Sequence, residues 1–343
     1  MRAALITGAR QVEILEFDDP TPTDDGVVVD VAYCGLCGTD IQAFTTGRPY
    51  KPAVCGHEWT GTLSAVGPSV SRFREGDRVV VGVPPACGTC EICRAGHIGS
   101  CATVAAFARG RDPEAPPHGG FAPRIAVNVG RVIAAHPALD DETLAQVEPV
   151  TVSLHGVHQS GLRATETAVI QGAGAIGLTT MQIANAAGAG QTIVIEPDEG
   201  RRTLATSLGA TAVATPDEAD DTILDLTGGL GADVVFECAG ATDTMQSAVD
   251  LTRRGGSVCL LAFTGDESTV ETGSWLRKEI SITTALAYVH EEFETAMDLL
   301  ADGRVRVAPL HTSTTKLDGL AETLEELASG RLTQTKVLVN PNW

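Results

Sequence analysis

The chain has 343 residues, more than a single hydrophobic core usually serves, so two domains are expected. Hydrophobic residues make up 43% and charged residues 20%, as in an ordinary globular protein, while aromatics are scarce at 4%. A formal net charge of −20 argues against nucleic acid or an anionic membrane as a general partner.

Met1 runs directly into Ala3-Ala4-Leu5-Ile6, without the cationic and apolar stretches of a secretory signal. No run approaches the ~20 apolar residues that span a bilayer. Nine cysteines in this setting read as metal ligands and core filler in a reducing compartment, which makes the cytoplasm the expected location. Residues 1 to about 150 show short β-branched runs broken by Gly and Pro, such as Gly26 to Val31 and Asp77 to Val83, and predict a β-rich domain. Arg109 to Gly120, rich in Pro and Gly, predicts a long loop.

From about 152 to 288 the rhythm changes to alternating strand and helix. Strands are predicted at Thr167 to Ile170, Thr192 to Ile195, Val234 to Phe236, Val258 to Ala262 and Ile280 to Thr284. Repeated β–α units imply a parallel sheet with helices on both faces. Beyond 289 come helices over Glu291 to Leu300 and Leu317 to Leu327 and a last strand, Lys336 to Val339. That tail is too short for a domain and is expected to pack back on the first one.

Two patterns carry chemistry. Cys87, Cys90, Cys93 and Cys101 are spaced to close a tetrahedral shell of four thiolates around one zinc, which leaves no position for a substrate. Gly172-x-Gly174-x-x-Gly177 follows one predicted strand and opens a helix, the context in which this glycine pattern binds a dinucleotide pyrophosphate. The helix N-terminus, including Ile176, then offers N–H groups to the anion. Glu196 ends the next strand, where a carboxylate binds ribose hydroxyls and repels the 2′-phosphate of NADP, so NAD is favoured. Arg201 and Arg202 keep NADP open, since either could face that phosphate.

Upstream lie Cys34-Gly35-Leu36-Cys37-Gly38-Thr39-Asp40 and Gly56-His57-Glu58. With the cysteine run and the dinucleotide motif, in this order, they resemble the zinc-dependent medium-chain dehydrogenases, most closely the polyol-type branch with sorbitol, threonine and butanediol dehydrogenases. The resemblance covers nearly the whole chain. It implies an α/β protein with a GroES-like catalytic domain and zinc lobe over 1–151. A Rossmann, doubly wound parallel-sheet domain over 152–288 and a return to the catalytic domain over 289–343 complete it.

The resemblance also implies two zinc ions per chain. Cys37 and His57 match ligands of a catalytic zinc, and Glu58 or Glu148 supplies the carboxylate in different members, a choice the sequence leaves open. Cys87, Cys90, Cys93 and Cys101 match the structural zinc lobe. Thr39 matches the hydroxyl that bonds the substrate oxygen and relays its proton, and Asp40 a carboxylate that orients the ligand histidine. Many relatives carry a histidine where this chain has Gln42, which cannot titrate near neutrality.

Trp59 is expected either to shape the pocket or to fill the core, and His118 either to approach substrate or to play no chemical part. Lys336 is expected to lie near the cofactor pyrophosphate or in solvent. The implied activity is hydride transfer between a secondary alcohol (polyol, sugar, cyclitol or vicinal diol) and NAD, giving the ketone, by a homodimer or homo-tetramer. Two alternatives stay open: an NADP(H)-dependent carbonyl reductase of the same fold, and a zinc- and dinucleotide-binding sensor without catalysis.

Overall fold

In the computed structural model, described over residues 1–48, 51–111, 115–262, 267–330 and 335–343, the chain divides into two units. The first comprises Met1–Glu148, Tyr288–Ala301 and Leu310–Trp343, and the second Pro149–Ala287 and Asp302–Pro309. The divisions expected after 151 and 288 therefore fall three residues and one residue earlier. Residues 302–309, expected in the catalytic domain, belong to the second unit. Arg306 explains this: its N–H donates to Gln182 Oε1 at 2.8 Å, its carbonyl accepts from Gln182 Nε2 at 3.2 Å, and its guanidinium reaches Ser207 O at 2.8 Å.

The first unit begins with strands β1 (Arg2–Gly8), β2 (Gln11–Glu16), β3 (Gly26–Gly35), β4 (Glu58–Val66), β5 (Arg78–Val81), β6 (Arg124–Asn128) and β7 (Val132–Ala134). The second unit supplies β8 (Thr167–Gln171), β9 (Gln191–Ile195), β10 (Ala212–Ala214), β11 (Ala232–Glu237), β12 (Thr252–Leu260) and β13 (Ser281–Thr284). The chain then returns through β14 (His311–Lys316) and β15 (Lys336–Asn340).

In the first unit a seven-stranded sheet runs β14-β15-β3-β4-β5-β7, with β6 also paired to β3, and β1 and β2 form a hairpin. The inward residues Val27, Val29 and Val31 of β3 alternate toward a core that also holds Phe44, Trp59, Leu63, Phe121 and Ile125. Between β5 and β6 the chain leaves the sheet for a lobe of short helices, Glu91–Arg94 and Ala102–Phe107, that carries the four clustered cysteines. The loop expected over 109–120 follows; its residues 112–114 lie outside the described ones.

The second unit is a six-stranded parallel sheet in the order β10-β9-β8-β11-β12-β13. Numbered within the unit this is 3-2-1-4-5-6, the Rossmann order, whose direction of winding reverses between β8 and β11. The central strands are buried on both faces, as Ala168, Val169, Ile170, Val234, Val235 and Phe236 show. Among the described residues no helix is long and apolar enough to cross a membrane.

Candidate active site

Cys37 occupies the N-cap of the helix Gly38–Thr46, in extended conformation, directly after β3. Its N–H donates to Asp40 Oδ2 at 3.0 Å, closing a reciprocal cap. The other oxygen of Asp40 accepts from the Gly56 N–H at 3.3 Å. One buried carboxylate thus ties together the two segments that carry Cys37 and His57.

The sulfur of Cys37, a ring nitrogen of His57 and a carboxylate oxygen of Glu58 all lie within 4.8 Å of one another. His57 Nδ1 sits 3.0 Å from Val54 O. A carbonyl only accepts, so Nδ1 carries a proton, and Nε2 is the nitrogen that a metal can take once its own proton is displaced. Asp40, expected to orient this ring, holds the backbone of both ligand-bearing segments by the bonds above, and its charge also acts on the His57 imidazole. Burial works against charging His57, but the Cys37 sulfur, Asp40 and Glu148 outweigh it and hold the imidazole well above its ordinary range. A site that gathers negative donors and favours a cation in this way suits a zinc ion.

The structure separates the two candidate carboxylates. Glu58 opens β4 opposite Gly35 and belongs to the mutually close set, whereas Glu148 stands outside it. Glu148 lies in the first turn of the helix Val147–Ser160 and is hydrogen-bonded to the Tyr288 side chain. Burial pushes its carboxyl up to about 7; Glu58 adds to this, while His57, Tyr288 and Lys336 oppose it. Thr39 Oγ1, two residues from Cys37, is buried with no hydrogen-bond partner. An orphaned hydroxyl costs about 1–3 kcal/mol, so a partner supplied by a bound molecule is the physical expectation.

In the lobe, the four sulfurs of Cys87, Cys90, Cys93 and Cys101 lie within 4.8 Å of one another, with Cys87 and Cys101 Sγ 3.6 Å apart. A tetrahedral shell with Zn–S of about 2.3 Å requires sulfurs about 3.8 Å apart. Backbone N–H groups of Cys87, Cys90 and Cys93 point at Cys101, Cys87 and Cys90 Sγ from 3.4, 3.4 and 3.5 Å. Hydrogen bonds from Thr103 and Thr89 pull the Cys87 thiol down to about 5, while burial and the neighbouring sulfurs push Cys93 up to about 12. Without a cation among them the four cannot ionise together, so the donor set fits a closed zinc shell.

In the second unit each motif glycine meets its own constraint. Gly172 has φ 92° and its N–H donates to Ile195 O at 2.8 Å, making the tight turn beside β9. A Cβ on Gly177 would lie 1.9 Å from Gly172 O, so helix and turn touch there. A Cβ on Gly174 would meet nothing within 4 Å, which leaves an open cradle at the N-cap of the helix Ala175–Ala186. Ile176 lies in the first turn of that helix, and its carbonyl accepts from Ser153 and Thr179 hydroxyls.

Glu196, buried, follows β9. Its two oxygens accept from Ala173 N at 2.7 Å and Asp198 N at 3.0 Å. Carboxylate oxygens have capacity left for hydroxyl donors, so the cradle and this fixed acid together fit a dinucleotide. Arg202 donates to the carbonyls of Glu196 and Pro197, both at 2.7 Å, whereas Arg201 Nε is buried without a partner.

Residues 23–137 match the alcohol dehydrogenase GroES-like domain, and residues 175–302 the zinc-binding dehydrogenase domain. The sorbitol dehydrogenase of Bacillus subtilis strain 168 is 31% identical, over 100% of this chain and 98% of its own. This chain belongs to the zinc-type alcohol dehydrogenase family. Among solved structures, an NADP-bound zinc-binding dehydrogenase of Sinorhizobium meliloti 1021 is 29% identical at a TM-score of 0.85, covering 99% of each chain. An alcohol dehydrogenase of Escherichia coli CFT073 complexed with NADH is 25% identical at a TM-score of 0.85, again over 99% of each. The protein is thus an oxidoreductase of alcohol CH–OH groups that uses zinc and a nicotinamide cofactor.

The structure places three residues for which the sequence left two roles open. Lys336 is not in solvent: it is buried in the first unit as the ion-pair partner of Glu58. His118 is buried, its Nδ1 2.9 Å from Gly119 O and its ring 5.0 Å from that of Phe17. Trp59 is a fully buried member of the core. Tyr288 was not singled out in the sequence, because nothing near Ala287-Tyr288-Val289 forms a motif.

Proposed function

We propose that the protein oxidises a secondary alcohol of the polyol, sugar, cyclitol or vicinal-diol class to its ketone with NAD, using two zinc ions per chain. The observation that carries this reading is the pairing of an open donor set, Cys37, His57 and Glu58, with a buried Thr39 hydroxyl that lacks a partner. Zinc held there supplies Lewis acidity to an alcohol or carbonyl oxygen, and the nicotinamide takes or gives the hydride.

The chain's own residues do the rest. Thr39 Oγ bonds the substrate oxygen and receives its proton, which moves on through water because Gln42 cannot titrate. Glu58 is the carboxylate of the metal set, and Glu148 stays a neighbour held by Tyr288. Gly172, Gly174, Ile176 and Gly177 accept the pyrophosphate, and Glu196 takes the adenosine ribose hydroxyls. Cys87, Cys90, Cys93 and Cys101 would hold the second zinc and so brace the lobe. The cytoplasm as location and a homodimer or homo-tetramer as the working form belong to the same reading.

A second reading, an NADPH-dependent carbonyl reductase, is favoured by Arg201, whose buried Nε has no partner and could meet a 2′-phosphate. The fixed Glu196 carboxylate opposes it. Absorbance at the reduced nicotinamide band, followed across secondary alcohols and polyols with each cofactor, tests both. Turnover of a polyol with NAD supports the first, and activity confined to NADPH and carbonyl compounds replaces it with the second.

A further inference from the structure

The four sulfurs of the lobe stand close together but are not equally guarded. Cys93 and Cys101 are buried, whereas Cys87 and Cys90 are only half-buried. The two accessible sulfurs differ in what they accept. Cys87 Sγ takes the Cys90 N–H at 3.4 Å and also hydrogen bonds from the Thr89 and Thr103 hydroxyls and the Thr89 backbone. Among the described residues, Cys90 Sγ accepts from one N–H, that of Cys93 at 3.5 Å.

The chain path builds this asymmetry. Thr89 lies in the turn between Cys87 and Cys90. Thr103 is the second residue of the helix Ala102–Phe107, which Cys101 caps, and Cys101 Sγ lies 3.6 Å from Cys87 Sγ. Turn and helix thus deliver both hydroxyls to the same sulfur. In a closed shell all four sulfurs are thiolates, so protonation does not rank them. Access and hydrogen bonding do. Hydrogen bonds to a charged sulfur are strong ones, and a sulfur that becomes a neutral thioether loses most of their worth. That loss falls on Cys87 and largely spares Cys90.

Resting on the structural-zinc reading above, we propose that Cys90 is a modification site, the sulfur through which the lobe reacts with soft carbon electrophiles such as α,β-unsaturated carbonyl compounds. The Cys90 thiolate attacks the β-carbon and forms a C–S bond. The π pair of the C=C bond moves to the α-carbon, which takes a proton from water and leaves hydroxide. The product is a neutral thioether, so Cys90 no longer supplies a thiolate, and three sulfurs remain to hold the metal.

The test uses N-ethylmaleimide, an electrophile of this class, at less than one equivalent on the whole enzyme, so that the first reaction is recorded before loss of the shell exposes the other sulfurs. Fragmentation of the tryptic peptide 79–94 reads label at Cys87, Cys90 and Cys93; label at Cys37 falls in another peptide and is scored apart. A coloured chelator reads the zinc released. Cys90 should carry about tenfold more label than Cys87, the worth of one hydrogen bond to a charged group. Zinc release should follow label at Cys90. In Thr89→Val/Thr103→Val the preference should fall to within about threefold, and Thr103→Ser, which keeps the hydroxyl, should retain it.

Equal label at the two cysteines, or more at Cys87, overturns the proposal. So does a preference that survives unchanged in the double variant. If that variant fails to fold, Thr89→Val and Thr103→Val, each lacking one hydroxyl, must show the same shift in part, and an unchanged ratio in both overturns the proposal too. Metal content separates the two claims: a lobe without zinc before labelling sinks the structural-zinc reading and this proposal together. A zinc-bound lobe labelled first at Cys87 sinks the proposal alone.

Discussion

Substituting alanine at two glycines of one motif should separate folding from cofactor binding. At Gly177 the new Cβ would lie 1.9 Å from Gly172 O and 3.0 Å from Gly172 C. Both atoms are backbone in a turn held by the Gly172 N–H to Ile195 O bond, so they cannot swing aside as a side-chain end could. Overpacking of this kind costs about 3 kcal/mol. At ~2–4 °C per kcal/mol for a unit of this size, Gly177→Ala should lower the unfolding temperature by about 6–12 °C. At Gly174 the Cβ meets nothing within 4 Å and φ is −74°, which any residue adopts. The substitution at this N-cap should cost under about 1 kcal/mol of stability. The same Cβ fills the cradle where a pyrophosphate must approach, and NADH affinity should fall at least about tenfold, equivalent to ~1.4 kcal/mol. Thermal unfolding and titration of NADH fluorescence read the two effects on the same samples. Wild-type NADH affinity in Gly174→Ala, together with wild-type unfolding in Gly177→Ala, would refute this account of the motif.

Two further outcomes follow from the first unit. Thr39→Val removes a buried hydroxyl that has no partner, so the unfolding temperature should hold or rise while kcat falls about 100-fold and NADH affinity stays; loss of stability with activity retained would contradict the role given to Thr39. In protein stripped of its exchangeable metal, the Glu148 carboxyl titrates near 7 when folded, raised mainly by burial, against an ordinary 4.5. Between those values the folded state binds the extra proton, so Glu148's contribution is complete below about 4.5 and is lost as pH rises through 7. Unfolding temperatures from pH 4.5 to 7.5 should show this decline in the wild type and a flatter profile in Glu148→Gln, and parallel profiles would contradict it.

The parts legible in the sequence are those encoded locally. The four cysteines lie within fifteen residues, and their spacing determines their clustering. The glycine motif sits inside one strand–turn–helix, so its context could be read in place. The strand Gln191–Ile195 and its acidic end were visible for the same reason. The short strand Ala212–Ala214 was not, since three residues carry no periodicity.

The site around Glu58 depends on long-range register instead. Nothing near Lys336 signals that β15 will lie beside β3, or that Gly35 will leave room for an ion pair across it. A lysine at the start of an apolar strand is ordinarily solvated, which is why its burial was missed. Tyr288 was hidden likewise, being brought to Glu148 by tertiary packing. The choice between Glu58 and Glu148 needed three dimensions, because both residues fit the same resemblance.

The central claim is that one zinc, among Cys87, Cys90, Cys93 and Cys101, braces a lobe, while another, at Cys37, His57 and Glu58, serves the reaction. Zinc content per chain, measured beside turnover in Cys37→Ser and Cys90→Ser, tests it most directly. The account predicts two zinc ions in the wild type. Cys37→Ser should stay folded and keep NADH binding, retain the lobe's zinc and lose turnover, while Cys90→Ser should lose the lobe's zinc and unfold at lower temperature. A Cys37→Ser protein that turns over alcohol at the wild-type rate with two zinc ions bound would contradict it.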